Sequence, residues 1–332
     1  LESFAPVFRQ RHILTIAGNF WPRNLDVVRF PVSARYFHTE PGVQILVHSQ
    51  QPEFPPRGDV IFIHGLEGSS EAGYAQSASQ AALVAGFATH RVNLRSCGGT
   101  EALSGKTLYH SGLTADVRAV VEQLRGEGHG PIYLVGYSLG GNVALKLAGE
   151  LGSEGRDLIE GVCAVSTPID LAACVEQLDK PSNVLYARRF VSRLKDRIRR
   201  KEKLSPGLFD VSRLPAVRNV YQFDDTFTAP AFGFGTADRY YATQSARNFL
   251  DDIRIPTLVI QAKDDPLIPF RVYEEAEAFR RNPSLELIAV EHGGHLGFLS
   301  RRKPRFWLDE RTVEWLHKIG NSVAPHYVTL KR

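Results

Sequence analysis

The chain has 332 residues, of which 43% are apolar and 23% charged, enough hydrophobic side chain for a large core and too little polarity for disorder. A net charge of +4 over this length excludes the concentrated positive face of a nucleic-acid binder. Three cysteines, Cys97, Cys163 and Cys174, lack the spacing of a disulfide framework or a zinc site and fit a reducing, cytoplasmic compartment.

At the start, Glu2, Arg9 and Arg11 interrupt the apolar residues, and no later run of about eighteen apolar residues appears, so neither a signal peptide nor a membrane span is expected. Up to about Arg57 the chain carries Trp21, Pro22, Pro31, Pro52, Pro55 and Pro56 and reads as an extended arm plus the first, antiparallel strands. Strands are then predicted at 43–48, 60–64, 88–93, 132–136, 161–166, 257–262 and 285–291. Helices are predicted at 74–85, 114–125, 139–151, 239–250, 272–280 and 309–319. Several strands are apolar almost throughout, as strands covered on both faces must be, so the fold class is α/β with a mostly parallel central sheet flanked by helices. The alternation breaks between Pro168 and Ala237, which read as an inserted helical lid. The expected division is therefore 1–167 for the arm and first part of the core, 168–237 for the lid and 238–332 for the rest of the core.

Gly136-Tyr137-Ser138-Leu139-Gly140-Gly141 follows one predicted strand and opens a predicted helix. A serine hydroxyl attacks an acyl carbon only if it projects from the sheet, and the sharp turn that achieves this has no room for side chains at the flanking positions. Ser138 is the candidate nucleophile, set against a plain helix-capping serine. A nucleophilic serine needs a base and a group to orient it. Lys263-Asp264-Asp265-Pro266 ends a later strand and offers Asp265 as the acid, with Asp264 as the alternative and a turn aspartate as the plain reading. Glu291-His292-Gly293-Gly294-His295-Leu296 follows the last strand and offers His295 as the base, with His292 as the alternative. His64-Gly65-Leu66-Glu67-Gly68 follows an early strand, where an oxyanion loop belongs, and makes the amides of Leu66 and Leu139 the expected oxyanion donors; a strand-ending turn is the plain alternative.

These motifs, with Thr15-Ile16-Ala17-Gly18-Asn19-Phe20-Trp21, Asn93-Leu94-Arg95-Ser96-Cys97-Gly98-Gly99-Thr100 and Tyr109-His110-Ser111-Gly112, resemble a branch of the α/β-hydrolase fold, the YheT-like esterases related to the ABHD lipases of eukaryotes. The resemblance runs over most of the chain. It implies a Ser138, Asp265, His295 triad, no metal or organic cofactor, and hydrolysis of a small-molecule carboxylic ester. An acyltransferase or thioesterase using the same triad, or a non-catalytic scaffold binding lipid or protein, stands as the alternative. Cys97 reads as a packing residue, and Arg95 with its following glycines as part of the pocket mouth.

Residues 188–203 carry nine Lys or Arg, with Phe190, Leu194 and Ile198 at four-residue spacing, and read as a basic amphipathic helix. The plain reading is a solvated lid helix whose apolar stripe covers the active site. The sharper one is peripheral contact with an anionic membrane. Phe223, Phe227, Phe232, Phe234, Tyr240 and Tyr241 supply aromatic surface for an acyl pocket or for packing of the lid.

Overall fold

The computed structural model describes residues 4–322; residues 1–3 and 323–332, at the outer ends of the two predicted core portions, lie outside it. Eight strands form one sheet in the order β1 (Ser33–Glu40), β2 (Val43–Gln50), β4 (Ala88–Val92), β3 (Asp59–Ile63), β5 (Ile132–Tyr137), β6 (Gly161–Val165), β7 (Thr257–Ala262), β8 (Leu285–Val290). The pairs β1/β2 and β2/β4 are antiparallel, and the remaining pairs are parallel. Every residue of β3 to β7 is buried, because helices cover both faces. The period of two divides them: Ile61, Ile63 and Leu134 belong to the core on one side, Val60, Phe62 and Val135 to the core on the other. The first side is closed by α3 (Ala115–Gly126) and α4 (Leu139–Leu151), the second by α2 (Gly73–Val84) and α8 (Trp307–Ser322).

The predicted strands are all present within a residue or two of their expected bounds. The arm, however, is not simply extended: α1 occupies Arg11–Phe20, with the Gln10 side chain accepting from the Ile13 amide at 2.6 Å. Its helical period is faint beside the prolines that follow, since only Leu14, Thr15 and Gly18 are buried. The edge strand β1 was also missed as a distinct element, because only Phe37 in it is fully buried. The helix expected at 239–250 is α7 (Ala237–Gln244) followed by 3-10 turns at Ala246–Asn248 and Leu250–Asp252. The one expected at 272–280 is two single turns, Arg271–Glu274 and Ala278–Arg281.

Between β6 and β7 the described chain is helical, with α5 (Leu171–Leu178) and α6 (Val184–Leu204) leading. The basic face of α6 is not uniformly solvated. Arg197 and Lys201 are buried, at 2% and 1% exposure. The Arg197 guanidinium lies 2.7 Å from Glu67 and over the Tyr109 ring at 4.3 Å. Lys201 donates to Glu101 O at 2.9 Å, Ser104 Oγ at 3.0 Å and Gly105 O at 2.6 Å. The ion pair of Arg197 and the three acceptors around Lys201 offset the burial of charge, and these two cations fasten α6 to the loops after β3 and β4.

Candidate active site

The register sets the site. Ile63 of β3 pairs with Gly136 of β5, so the loop leaving β3 stands beside the turn leaving β5. In that turn Ser138 adopts φ 52° and ψ −122°, a conformation that costs on the order of 1–3 kcal/mol and that the packed surroundings must hold. A Cβ on Gly136 would lie 2.4 Å from Gly140 O, and one on Gly140 would lie 2.2 Å from Ile63 O. The expected need for glycine at both positions is therefore steric. A Cβ on Gly65 would come within 3.0 Å of Ser138 Cβ, which measures how closely the β3 loop approaches the serine.

Three side chains predicted from three separate strand ends come together. His295 Nε2 lies 3.1 Å from Ser138 Oγ, and His295 Nδ1 lies 2.9 Å from Asp265 Oδ2. A carboxylate only accepts, so Nδ1 carries the proton and Nε2 offers its lone pair to the serine hydroxyl. Asp265 is 3% exposed, and its Oδ1 accepts from the amides of Leu267 at 2.8 Å and Ile268 at 3.1 Å. The alternatives form a different unit: Asp264 accepts from His292 Nδ1 at 3.1 Å and from the amides of Gly293 and Gly294 at 2.9 Å each, shaping the loop that bears His295.

The amides flanking Leu66 are occupied: Gly65 N donates to Tyr74 OH at 3.0 Å and Glu67 N to Tyr109 OH at 2.9 Å. Among the described residues the amides of Leu66 and Leu139 have no intramolecular acceptor, the condition that free donors at a loop and a helix N-terminus must meet. Sequence reasoning missed Tyr74 and Tyr109 in this role, although Tyr109 opens the motif Tyr109-His110-Ser111-Gly112. It also missed Thr15, whose Oγ1 accepts from the His295 amide at 2.9 Å and so braces the histidine from α1.

His64 Nδ1 lies 2.7 Å from Gly65 O, while Nε2 accepts from Leu94 N at 3.1 Å. The bond at Nε2 requires the neutral ring with its proton on Nδ1, and burial pushes its pKa down from 6.5 to about 4. The unfolded chain therefore binds a proton here between pH 6.5 and 4 that the folded chain does not, so stability is lost as pH falls through that window. The contribution is on the order of 3 kcal/mol. Urea midpoints measured from pH 7 to pH 4 are expected to fall, and His64→Gln is expected to flatten that slope.

Two spaces meet at Ser138. An inner cavity of about 100 Å³ is lined by Leu139, Leu171, Val175, Leu194 and Ile268 among others, with Tyr240, Tyr241 and Asp224 also in its wall. An outer cleft of about 570 Å³ runs from the same serine to the surface between α1 and α6. Ser138, His295, Leu66, Phe190 and Leu267 border both. Of the aromatics expected in a pocket, Phe223 and Phe227 are instead packed in the core of the insertion, and Phe232 and Phe234 pack on His110, at 4.5 and 5.3 Å between centroids. Arg95 is not at a pocket mouth: it is 2% exposed and held by Asp116 at 2.6 Å and Glu40 at 2.6 Å. Burial pushes the Cys97 thiol up to about 12, as befits a packing residue.

Among the described residues, Asp59, His90 and His129 bring three potential metal-ligand atoms within 4.8 Å of one another. Asp59 opens β3, His129 precedes β5 and His90 lies mid-strand in β4, so the group sits away from the C-terminal strand ends where Ser138 stands. Asp59 already accepts from both rings, at 3.0 and 2.9 Å, and from Gly130 N at 3.1 Å, which accounts for the group as a hydrogen-bonded network.

Residues 59–301 match the family model described as the alpha/beta hydrolase fold. The chain is 37% identical over 272 residues to YheT of Escherichia coli (strain K12), a protein named as a candidate esterase, covering 80% of this chain and 78% of that one. It is 28% identical over 251 residues to phospholipase ABHD3 of Mus musculus, covering 75% of this chain and 60% of that protein's length. The solved esterase Pf2001 of Pyrococcus furiosus shares the fold with a TM-score of 0.60 at 18% identity, over 90% of this chain and 95% of that one. The strand order, the helical insertion after β6 and the similarity to YheT agree on one conclusion, that the chain belongs to the α/β-hydrolase family, on its YheT/ABHD-like branch.

Proposed function

We propose that the chain is a serine esterase that hydrolyses carboxylic esters of short to medium acyl length through an acyl-enzyme. The observation that carries the reading is the unbroken relay from Asp265 through His295 to Ser138, with bonds of 2.9 and 3.1 Å. In this mechanism Ser138 Oγ bonds to the ester carbonyl carbon as its proton passes to His295 Nε2, and the amides of Leu66 and Leu139 receive the oxyanion. Collapse of the intermediate breaks the bond to the alkoxy group, which leaves with the proton from Nε2. Water repeats the sequence on the acyl-enzyme and frees the acid. Asp265 stays ionised and holds the ring in the productive tautomer. No metal or organic cofactor is required. No helix of the described residues is long and apolar enough to cross a membrane, and three free, buried thiols suit work in a reducing, cytoplasmic setting.

The apolar inner cavity is the acyl site, and its limited volume sets the length it accepts. Across p-nitrophenyl esters of rising acyl length, kcat/KM is expected to climb about fourfold per methylene while the chain is being buried, then to fall once the wall is reached. A flat profile up to long acyl chains would contradict this assignment of the cavity.

A second reading, transfer of the acyl group to an alcohol, is favoured by the separate outer cleft, which has room for an acceptor. One relative, 27% identical over 293 residues, is named as a medium-chain fatty acid ethyl ester synthase/esterase of Saccharomyces cerevisiae; this chain spans 63% of its length. Product analysis with added alcohols separates the two.

A further inference from the structure

We propose that the mouth of the outer cleft is a docking surface for an anionic lipid bilayer, built from α1 and the first turns of α6. The two helices meet at this opening, where the His12 ring stacks on Tyr186 at 5.8 Å between centroids. On α1, Ile13, Ile16 and Phe20 are 49%, 47% and 68% exposed; on α6, Val184 and Leu185 are 42% and 72% exposed. A single exposed apolar side chain needs no explanation, but five on two touching helices around one opening make a patch. Ile16 and Phe20 also line the cleft, so the patch is continuous with the channel that reaches Ser138.

The charge around the patch selects the occupant. Arg188, Arg189 and Arg193 are exposed on α6 and Arg9 just before α1; Arg189 and Arg193 border the cleft, where Arg193 also donates to Glu67 O at 3.0 Å. The acids of the cleft are engaged by the protein, Glu67 by Arg197 and Tyr109, Glu71 by His48 and Gln76. Farther along α6 four of the six cations are engaged in the protein: Arg197 and Lys201 are buried, Arg199 pairs with Asp196 and Arg200 with Glu101. The docking face is thus α1 with the N-terminal end of α6, not the whole basic stripe of 188–203 that the sequence suggests. An apolar patch ringed by guanidinium groups fits a bilayer whose headgroups carry phosphate and net negative charge, with the apolar side chains entering the acyl boundary.

That the surface delivers an ester to Ser138 rests on the proposed esterase function; the docking itself does not. The test is co-sedimentation of the full chain, wild type and Ser138→Ala, with phosphatidylcholine vesicles made with and without phosphatidylglycerol. Both proteins are expected to bind the phosphatidylglycerol vesicles and to release them as salt rises, with little binding to phosphatidylcholine alone. Each arginine at an anionic surface multiplies partitioning about fivefold, so Arg188→Glu is expected to weaken it by about tenfold or more. The double variant Ile13→Ser, Leu185→Ser is expected to do the same. None of these three residues lines the cavity or the cleft, so hydrolysis of a water-soluble p-nitrophenyl ester by these variants is expected to stay within about twofold of wild type, which also reports their folding. Absence of vesicle binding, equal binding to both kinds of vesicle, or variants that bind like wild type would overturn the proposal. Vesicle binding without any cleavage of soluble esters would instead sink the esterase reading and leave the docking surface standing.

Discussion

Ser138→Ala is expected to lower kcat for ester hydrolysis by on the order of 10⁵-fold or more, with KM changed little and labelling by a fluorophosphonate probe abolished. The size of the effect follows from the division of labour at the site. In the proposed mechanism, removal of the hydroxyl deletes the atom that bonds to the acyl carbon, and what remains is substrate binding and the two proposed amide donors, worth roughly 10³ to 10⁴ over water. The alanine fits the same backbone, since the strain at φ 52° is imposed by the turn and a Cβ is already present. Retained cleavage and labelling in the variant would remove Ser138 from the mechanism.

Asp265→Asn is expected to reduce kcat about 10⁴-fold while leaving the fold intact. The asparagine carbonyl can still accept from the amides of Leu267 and Ile268, but its NH₂ then faces His295 Nδ1 and forces the proton onto Nε2, where it cannot take one from Ser138. Asp264→Asn keeps an acceptor for Gly293 and Gly294 and does not touch His295, so a loss of about tenfold at most is expected. Kinetics on the two variants side by side rank the carboxylates; equal losses would mean that the acid has been assigned wrongly.

The parts of the site that the sequence made legible are those with a local signature. The turn at Ser138 requires glycine at fixed offsets because backbone atoms fill the space, and that requirement is written within six residues. The strands were legible because full burial leaves near-continuous apolar runs. What escaped was elements whose burial is one-sided or whose role is supplied from far along the chain. β1 is an edge, α1 buries a narrow stripe, and Thr15 acts on His295 across 280 positions.

Asp264 and Asp265 show where the boundary falls. Adjacent, identical and both at a strand end, they are equivalent as letters, yet one holds a loop and the other faces the histidine ring. The same is true of α6, whose cations look alike in the sequence but divide into buried anchors and exposed arginines once Glu67, Glu101 and the 104–105 turn are folded against them. The sequence by itself determined the buried, parallel strands of the sheet, the turn at Ser138 and the order of the three candidate groups, because these depend on periodicity and sterics between near neighbours. Only the tertiary structure decided which carboxylate meets the imidazole, which amides stay free and which charges are buried, because each of these depends on pairing between residues that the chain brings together only when it folds.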